Sequence, residues 1–169
     1  MELGATVCTP RNPRCDACPL FAVCRGRSDP LRYGKKQRRT KVIPVRAVAG
    51  LCRHGGGWLL GRRPPGSLLP GLWEPVGAPL EGDASPTAVL KEAFLKRAGV
   101  VVAIGDSLGE VQHVFSHRRL TTQVFAVSVV SGDPKLGPPY TDLQWPPEPG
   151  ELALSKLAQK VLALDPSHR

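Results

Sequence analysis

The sequence predicts an α+β domain over residues 42–169, preceded by a small four-cysteine loop at 1–24 and a basic linker at 25–41. Three observations carry this reading. Four of the five cysteines fall within seventeen residues, positive charge is concentrated before residue 42, and strand-like and helix-like apolar patterns follow one another after it.

Residues 1–41 hold ten Lys/Arg against three acids, a net +7, while residues 42–169 hold thirteen against eleven, a net +2. A short positive stretch beside a near-neutral domain suits a polyanion, nucleic acid first. A solvated basic linker is the plainer alternative. Hydrophobic residues make up 41% of the chain, enough for one core; with aromatics at 5% and one Met, that core is built mainly from Leu, Val and Ala. Eighteen Gly and eighteen Pro gather at turn-like spots without a period, which excludes a collagen repeat and argues against disorder. No apolar run approaches the roughly 20 residues that cross a bilayer. No signal peptide opens the chain. The expectation is a soluble, cytoplasmic monomer with reduced cysteines and no membrane contact.

The elements follow in order. Residues 42–52, rich in Val and Ala, suit a strand, and Gly55-Gly56-Gly57 turns the chain into a hairpin partner over 58–62. A helix is predicted over 86–97, with Ser85 as N-cap, Pro86 at its first position, an apolar face of Val89, Ala93, Phe94 and Leu95, and Gly99 as its stop. Residues 100–104, 109–115 and 121–130 read as strands. Residues 151–164 read as a closing helix, with Leu154, Leu157, Ala158 and Val161 on one face. Cys52 reads as a small buried hydrophobe, His113 as a surface histidine, and Tyr140 and Trp145 as packed beneath the sheet.

Cys8, Cys15, Cys18 and Cys24 form a C-x6-C-x2-C-x5-C pattern. Four thiolates this close can surround one inorganic centre. In a reducing compartment zinc or an iron–sulfur cluster is favoured over disulfides, and ligand count leaves both open. The spacing is similar to that of the endonuclease III and MutY family of DNA glycosylases, which carry a 4Fe–4S cluster on such a loop, and Met1-Glu2-Leu3-Gly4-Ala5 resembles the helix end before it. The resemblance implies that the four cysteines hold a 4Fe–4S cluster, with zinc as the alternative. It also implies that Arg11 and Arg14, on the intervening loop, meet DNA phosphates.

From residue 42 the chain resembles the Nudix-like carboxy-terminal domain of MutY-type adenine glycosylases. The matching run is Leu60-Gly61-Arg62-Arg63-Pro64 followed by Leu68-Leu69-Pro70-Gly71-Leu72-Trp73-Glu74-Pro75-Val76-Gly77, similar to the family's R-P-x-x-G-L-L-x-G-L-W-E-F-P-G. The implied fold is a Nudix-like mixed sheet with flanking helices. A working Nudix hydrolase needs clustered carboxylates on its helix to hold Mg²⁺ against a diphosphate. Here Glu92 stands beside Lys91, with Leu95 and Lys96 where paired acids would be and Gly99 one residue late. The helix therefore reads as structural; a nucleotide diphosphate hydrolase with an added metal-binding loop is the alternative function.

The run Gln112-His113-Val114-Phe115-Ser116-His117-Arg118-Arg119-Leu120 resembles the MutY F-S-H loop. It implies that Phe115 wedges beside a base, Ser116 and His117 read the altered purine edge, and Arg118 anchors flanking phosphate, the partner being double-stranded DNA with 8-oxoguanine opposite adenine. The family's catalytic helix–hairpin–helix domain precedes its cluster, whereas seven residues precede Cys8 here. The expectation is a DNA-binding and lesion-recognition portion with no catalytic residues of its own and no glycosylase activity alone. A truncated gene product, a stand-alone module and half of a split enzyme all fit.

Overall fold

The computed structural model describes residues 3–33, 42–115 and 118–165, in two units, Met1–Lys41 and Val42–Arg169. The first unit holds two single-turn helices, α1 (Leu3–Thr6) and α2 (Pro30–Tyr33), and two 3-10 turns, Cys15–Ala17 and Phe21–Val23. None of these elements buries a residue. A chain this short, without an apolar face, needs something other than a hydrophobic core to fix it.

The second unit runs β1 (Ile43–His54), β2 (Gly57–Trp58), β3 (Leu60–Arg62), β4 (Trp73–Pro75), β5 (Gly77–Leu80), α3 (Pro86–Ala98), β6 (Val101–Phe115), β7 (Arg118–Ser131), β8 (Asp142–Gln144) and α4 (Lys156–Leu162). One sheet has the order β2-β1-β7-β6, with β5 also on β1; a second has the order β4-β3-β8. β1 pairs in parallel with β7 and antiparallel with β5 and β2, so the sheet is mixed. The α+β architecture with a mixed sheet and flanking helices is the one the sequence predicts.

β1 lies inside the sheet, and its side chains alternate between two cores. Val48 and Cys52 pack with Leu90, Ala93, Phe94 and Ala98 of α3. Ala49 and Leu51 pack with Val161 and Leu162 of α4. A strand covered on both faces loses the polar alternation of a half-exposed one, which is why residues 48–52 read as a continuous Val-Ala-Gly-Leu-Cys run. Gly50 belongs there because the ring of Phe94 lies directly on the strand: a Cβ at 50 would stand 2.6 Å from Phe94 Cε2.

α3 begins with Pro86 at N1 and ends at Gly99, whose φ of 69° and N–H donation to Leu95 O close the last turn. Two details differ from expectation. Ser85 occupies the cap position, but its hydroxyl meets Thr87 Oγ1 at 3.1 Å instead of a backbone N–H. Leu95 is 56% exposed, and Leu90, 0% exposed, takes its place in the core. The buried face is therefore Leu90-Ala93-Phe94-Ala98, a cleaner helical repeat.

The closing helix is shorter than 151–164. Pro149–Glu151 is a 3-10 turn, Leu154 bridges to Trp73, and helix starts only after Ser155, whose Oγ accepts the Ala158 N–H at 3.0 Å. That cap fixes the true start. The predicted strands at 100–104 and 109–115 are one long β6 with register shifts between Ile104 and Gly109. The hairpin after Gly55-Gly56 pairs only Arg53 with Trp58 and His54 with Gly57; β3 leaves to join the second sheet. Cys52 is buried, as is Tyr140, and Trp145 packs against the same core.

Candidate functional site

In the first unit the cysteines sit where short turns change direction. The N–H of Cys18 donates to Cys15 O at 3.0 Å, Phe21 to Cys18 O at 3.0 Å, and Cys24 to Phe21 O at 3.3 Å. These successive turns carry Cys15, Cys18 and Cys24, and the end of α1 carries Cys8, to the wall of one cavity of about 190 Å³; none of the four is in a disulfide. Residues assigned to the linker by sequence, including Gly26, Pro30 and Tyr33, line it too. Burial, then the charges of Cys8, Cys24, Asp16 and Cys18, push the Cys15 thiol up. Converging thiolates repel one another until a cationic core lies among them.

No three His, Cys, Asp or Glu side chains among the described residues converge tightly enough to hold a metal ion. Four thiolates on a single zinc would each stand about 2.3 Å from it. The donor set on the cavity wall, four cysteines and no histidine, fits an iron–sulfur cluster and a four-thiolate zinc site alike.

Arg11 on the intervening loop is exposed. Arg14 is exposed as well, and its Nη2 donates to Thr6 O at 2.7 Å, which satisfies a carbonyl at the end of α1. A guanidinium carries five N–H donors, so one such bond does not exhaust it. Thr9 Oγ1 donates to Asn12 O at 2.6 Å and closes the turn that carries Arg11.

In the second unit β6 and β7 form a long antiparallel arm, whose register runs without interruption from Gly109↔Val124 to Phe115↔Arg118. Ser116 and His117, next in sequence after Phe115, lie outside the described residues. Phe115 is half-buried and Arg118, directly opposite, is exposed. His113, read from sequence as a surface histidine, is half-buried beside Phe115: their ring centroids are 4.6 Å apart at 62°, an edge-to-face contact. The i, i+2 spacing on a strand was the signal for this shared face. Lys160 of α4 donates to Gln112 O at 3.3 Å and ties the arm to the helix.

The same sheet face continues inward to a cavity of about 360 Å³, walled by Val45, Ala47, Leu120, Thr122, Arg63 and Tyr140 among others. Thr122 is 4% exposed and its hydroxyl has no hydrogen-bond partner among the described residues. Glu74, the one carboxylate on that wall, is engaged by Arg63 Nη1. On α3, Glu92 is ion-paired to Lys96 at 2.5 Å, which holds its carboxyl below the usual range. Neither carboxylate stands in the acidic cluster that diphosphate hydrolysis needs.

Comparison with known proteins agrees with both halves. Residues 47–164 match the family model for the NUDIX domain, and residues 8–24 match that for the iron-sulfur binding domain of endonuclease III. The adenine DNA glycosylase of Mus musculus is 30% identical over 100% of this chain and 42% of its own length; that of Arabidopsis thaliana is 32% identical over 78% of this chain and 26% of its own. The chain thus spans less than half the length of these curated relatives. Among solved structures, the C-terminal domain of mouse MUTYH, in a complex with human PCNA, matches with TM-score 0.58 and 26% identity, over 74% of this chain and 89% of that one. The MutT protein from Methanosarcina mazei Go1 shares the fold, with TM-score 0.66 and 22% identity over 76% of this chain and 97% of that one. The cysteine segment is an iron–sulfur binding motif of the endonuclease III type. No helix among the described residues is long and apolar enough to cross a membrane.

Proposed function

The chain belongs to the NUDIX domain family, and on that premise we propose that it is the DNA-binding and 8-oxoguanine-recognition portion of an adenine DNA glycosylase, acting in base-excision repair of 8-oxoguanine:adenine mispairs. The observation that carries this reading is the end of the β6–β7 arm, where Phe115 on one strand faces an exposed Arg118 on the other. An aromatic ring and a guanidinium on facing strand ends suit a base step and its phosphate. Ser116 and His117 are the residues assigned to reading the purine edge. Cys8, Cys15, Cys18 and Cys24 hold a 4Fe–4S cluster, which supplies a fixed scaffold for its loop. Arg11 and Arg14 then offer phosphate contacts at low ordering cost.

The test is fluorescence anisotropy of the purified chain on two duplexes, one with 8-oxoguanine opposite adenine and one with guanine opposite adenine. Tighter binding to the first is expected, with the preference lost in Ser116→Ala. Equal affinity for the two duplexes in the unsubstituted protein removes the recognition claim. A magnesium-dependent hydrolysis of an oxidised nucleoside diphosphate would favour the hydrolase alternative.

A further inference from the structure

We propose that His113 is a positioning residue for the recognition arm, its imidazole holding the Phe115 ring in the orientation that meets a base step. The inference rests on the lesion-recognition reading above and adds to it a residue outside the Phe-Ser-His tip.

A phenylalanine side chain on a strand has more than one staggered χ1 well open to it, and neighbours on the same face select one. Among the described residues those neighbours are Arg118, Ile43 and His113. The residue opposite Phe115 is Arg118, whose side chain is exposed, and the next strand over presents Ile43, which pairs with Arg118 and is 54% exposed. Neither makes a fixed wall. His113, two residues earlier on the same face, does: its ring meets that of Phe115 edge-on at 4.6 Å.

His113 is itself held. Its cross-strand partner is Leu120, which lies in the continuous part of the register and lines the cavity beneath. The peptide before it is anchored through Gln112 O by Lys160 of α4. Constraint therefore passes from α4 and the sheet to His113, and from His113 to the Phe115 ring. A ring fixed before binding loses less rotamer freedom when it enters a duplex, so lesion binding gains from the contact without His113 touching DNA.

The test measures binding of the full chain to the 8-oxoguanine:adenine and guanine:adenine duplexes for His113→Ala, His113→Phe and Phe115→Ala, alongside the ¹H NMR ring resonances of Phe115. In His113→Ala the Phe115 resonances move toward unstructured values, and affinity for the lesion duplex falls about two- to tenfold, the span of one aromatic pair. His113→Phe, which restores a ring at that place, recovers affinity. Phe115→Ala separates the two ideas. If it lowers lesion affinity while His113→Ala leaves both affinity and resonances unchanged, the positioning role is overturned and the recognition reading stands. If Phe115→Ala has no effect on either duplex, the recognition role of the ring fails, and the positioning role with it. Failure of His113→Phe to recover affinity also overturns the proposal, since it would place the effect in imidazole chemistry rather than in a ring wall.

Discussion

Arg63 and Glu74 meet across the β3–β4 connection, Nη1 to Oε2 at 2.5 Å, with 27% and 23% of their side chains exposed. The same guanidinium donates through Nε to Leu68 O at 2.5 Å, and Tyr140 Oη donates to Glu74 Oε1 at 3.5 Å. One ion pair thus pins the loop between the two strands to the second sheet. Glu74→Gln is expected to destabilise the domain by about 1–2 kcal/mol, between the values for exposed and buried pairs. Chemical denaturation measures the loss, and faster amide exchange in residues 64–72 would trace it to this loop.

That loop contains Leu69, which sits in the left-handed region at φ 57° and is 39% exposed. A β-carbon there costs roughly 1–2 kcal/mol, a strain that glycine escapes. Leu69→Gly is expected to raise the thermal midpoint, net of the added freedom of the unfolded chain. A lower midpoint would mean that the leucine side chain contributes more by packing than its backbone loses.

At the core, Gly50→Ala drives a methyl toward Phe94 Cε2 and toward Val127 Cγ2, which would stand 2.6 and 2.7 Å from the new carbon. Overpacking of this kind costs about 1–3 kcal/mol. Combining it with Phe94→Leu should cost less than the two single changes added together, because the smaller side chain vacates the clash. Additive losses would show that the strand shifts rather than the ring.

Burial pushes the Cys52 thiol from its ordinary 9.0 up to about 11. In the unfolded chain the thiol ionises near its ordinary value, so the unfolded state releases its proton first as pH rises. The stabilisation is complete below pH 9 and is lost progressively toward 11. Tyr140, raised by burial and then by the charge of Glu74, extends the alkaline loss to higher pH. Urea midpoints of the unsubstituted protein and Cys52→Ala across pH 8–11 should converge; parallel curves would contradict the assignment.

Cys15→Ser replaces one of the four thiols on the cavity wall. Anaerobically purified protein is expected to lose bound iron and sulfide in step with its visible absorbance. Retention of stoichiometric iron in this variant would move Cys15 out of the ligand set. Zinc in place of iron in the unsubstituted protein would reverse the choice of cofactor.

Much of this architecture was legible because its signals are local. Pro86 and Gly99 bracket α3, and the cysteine spacing stands out against a chain with one other Cys. What stayed hidden depends on tertiary pairing. β4, β5 and β8 are three or four residues long and contain Pro or Gly or lie among them, so no alternation can develop. The start of α4 was misread because Leu152 and Leu154 share an apolar spacing with the helix while Ser155 interrupts it as a cap. Within the site, Phe115 and Arg118 were named through the resemblance to a family loop, but their facing each other is a property of register. Thr122 was passed over as a strand residue, although its parity with Leu120 and Val124 places it on the covered face.

β6 is the outer strand of the larger sheet and runs for 15 residues, a length that would ordinarily invite a second copy to hydrogen-bond along it. The register shifts around Ser107 interrupt the regular ladder, and bulged strands twist locally, so no flat template is offered. Removing both extra residues of that stretch, which takes five steps on β6 from Ile104 to Gly109 against three on β7 from Val127 to Val124, would straighten the rim. The longer, flatter edge would leave a protein prone to self-association into fibrillar aggregates.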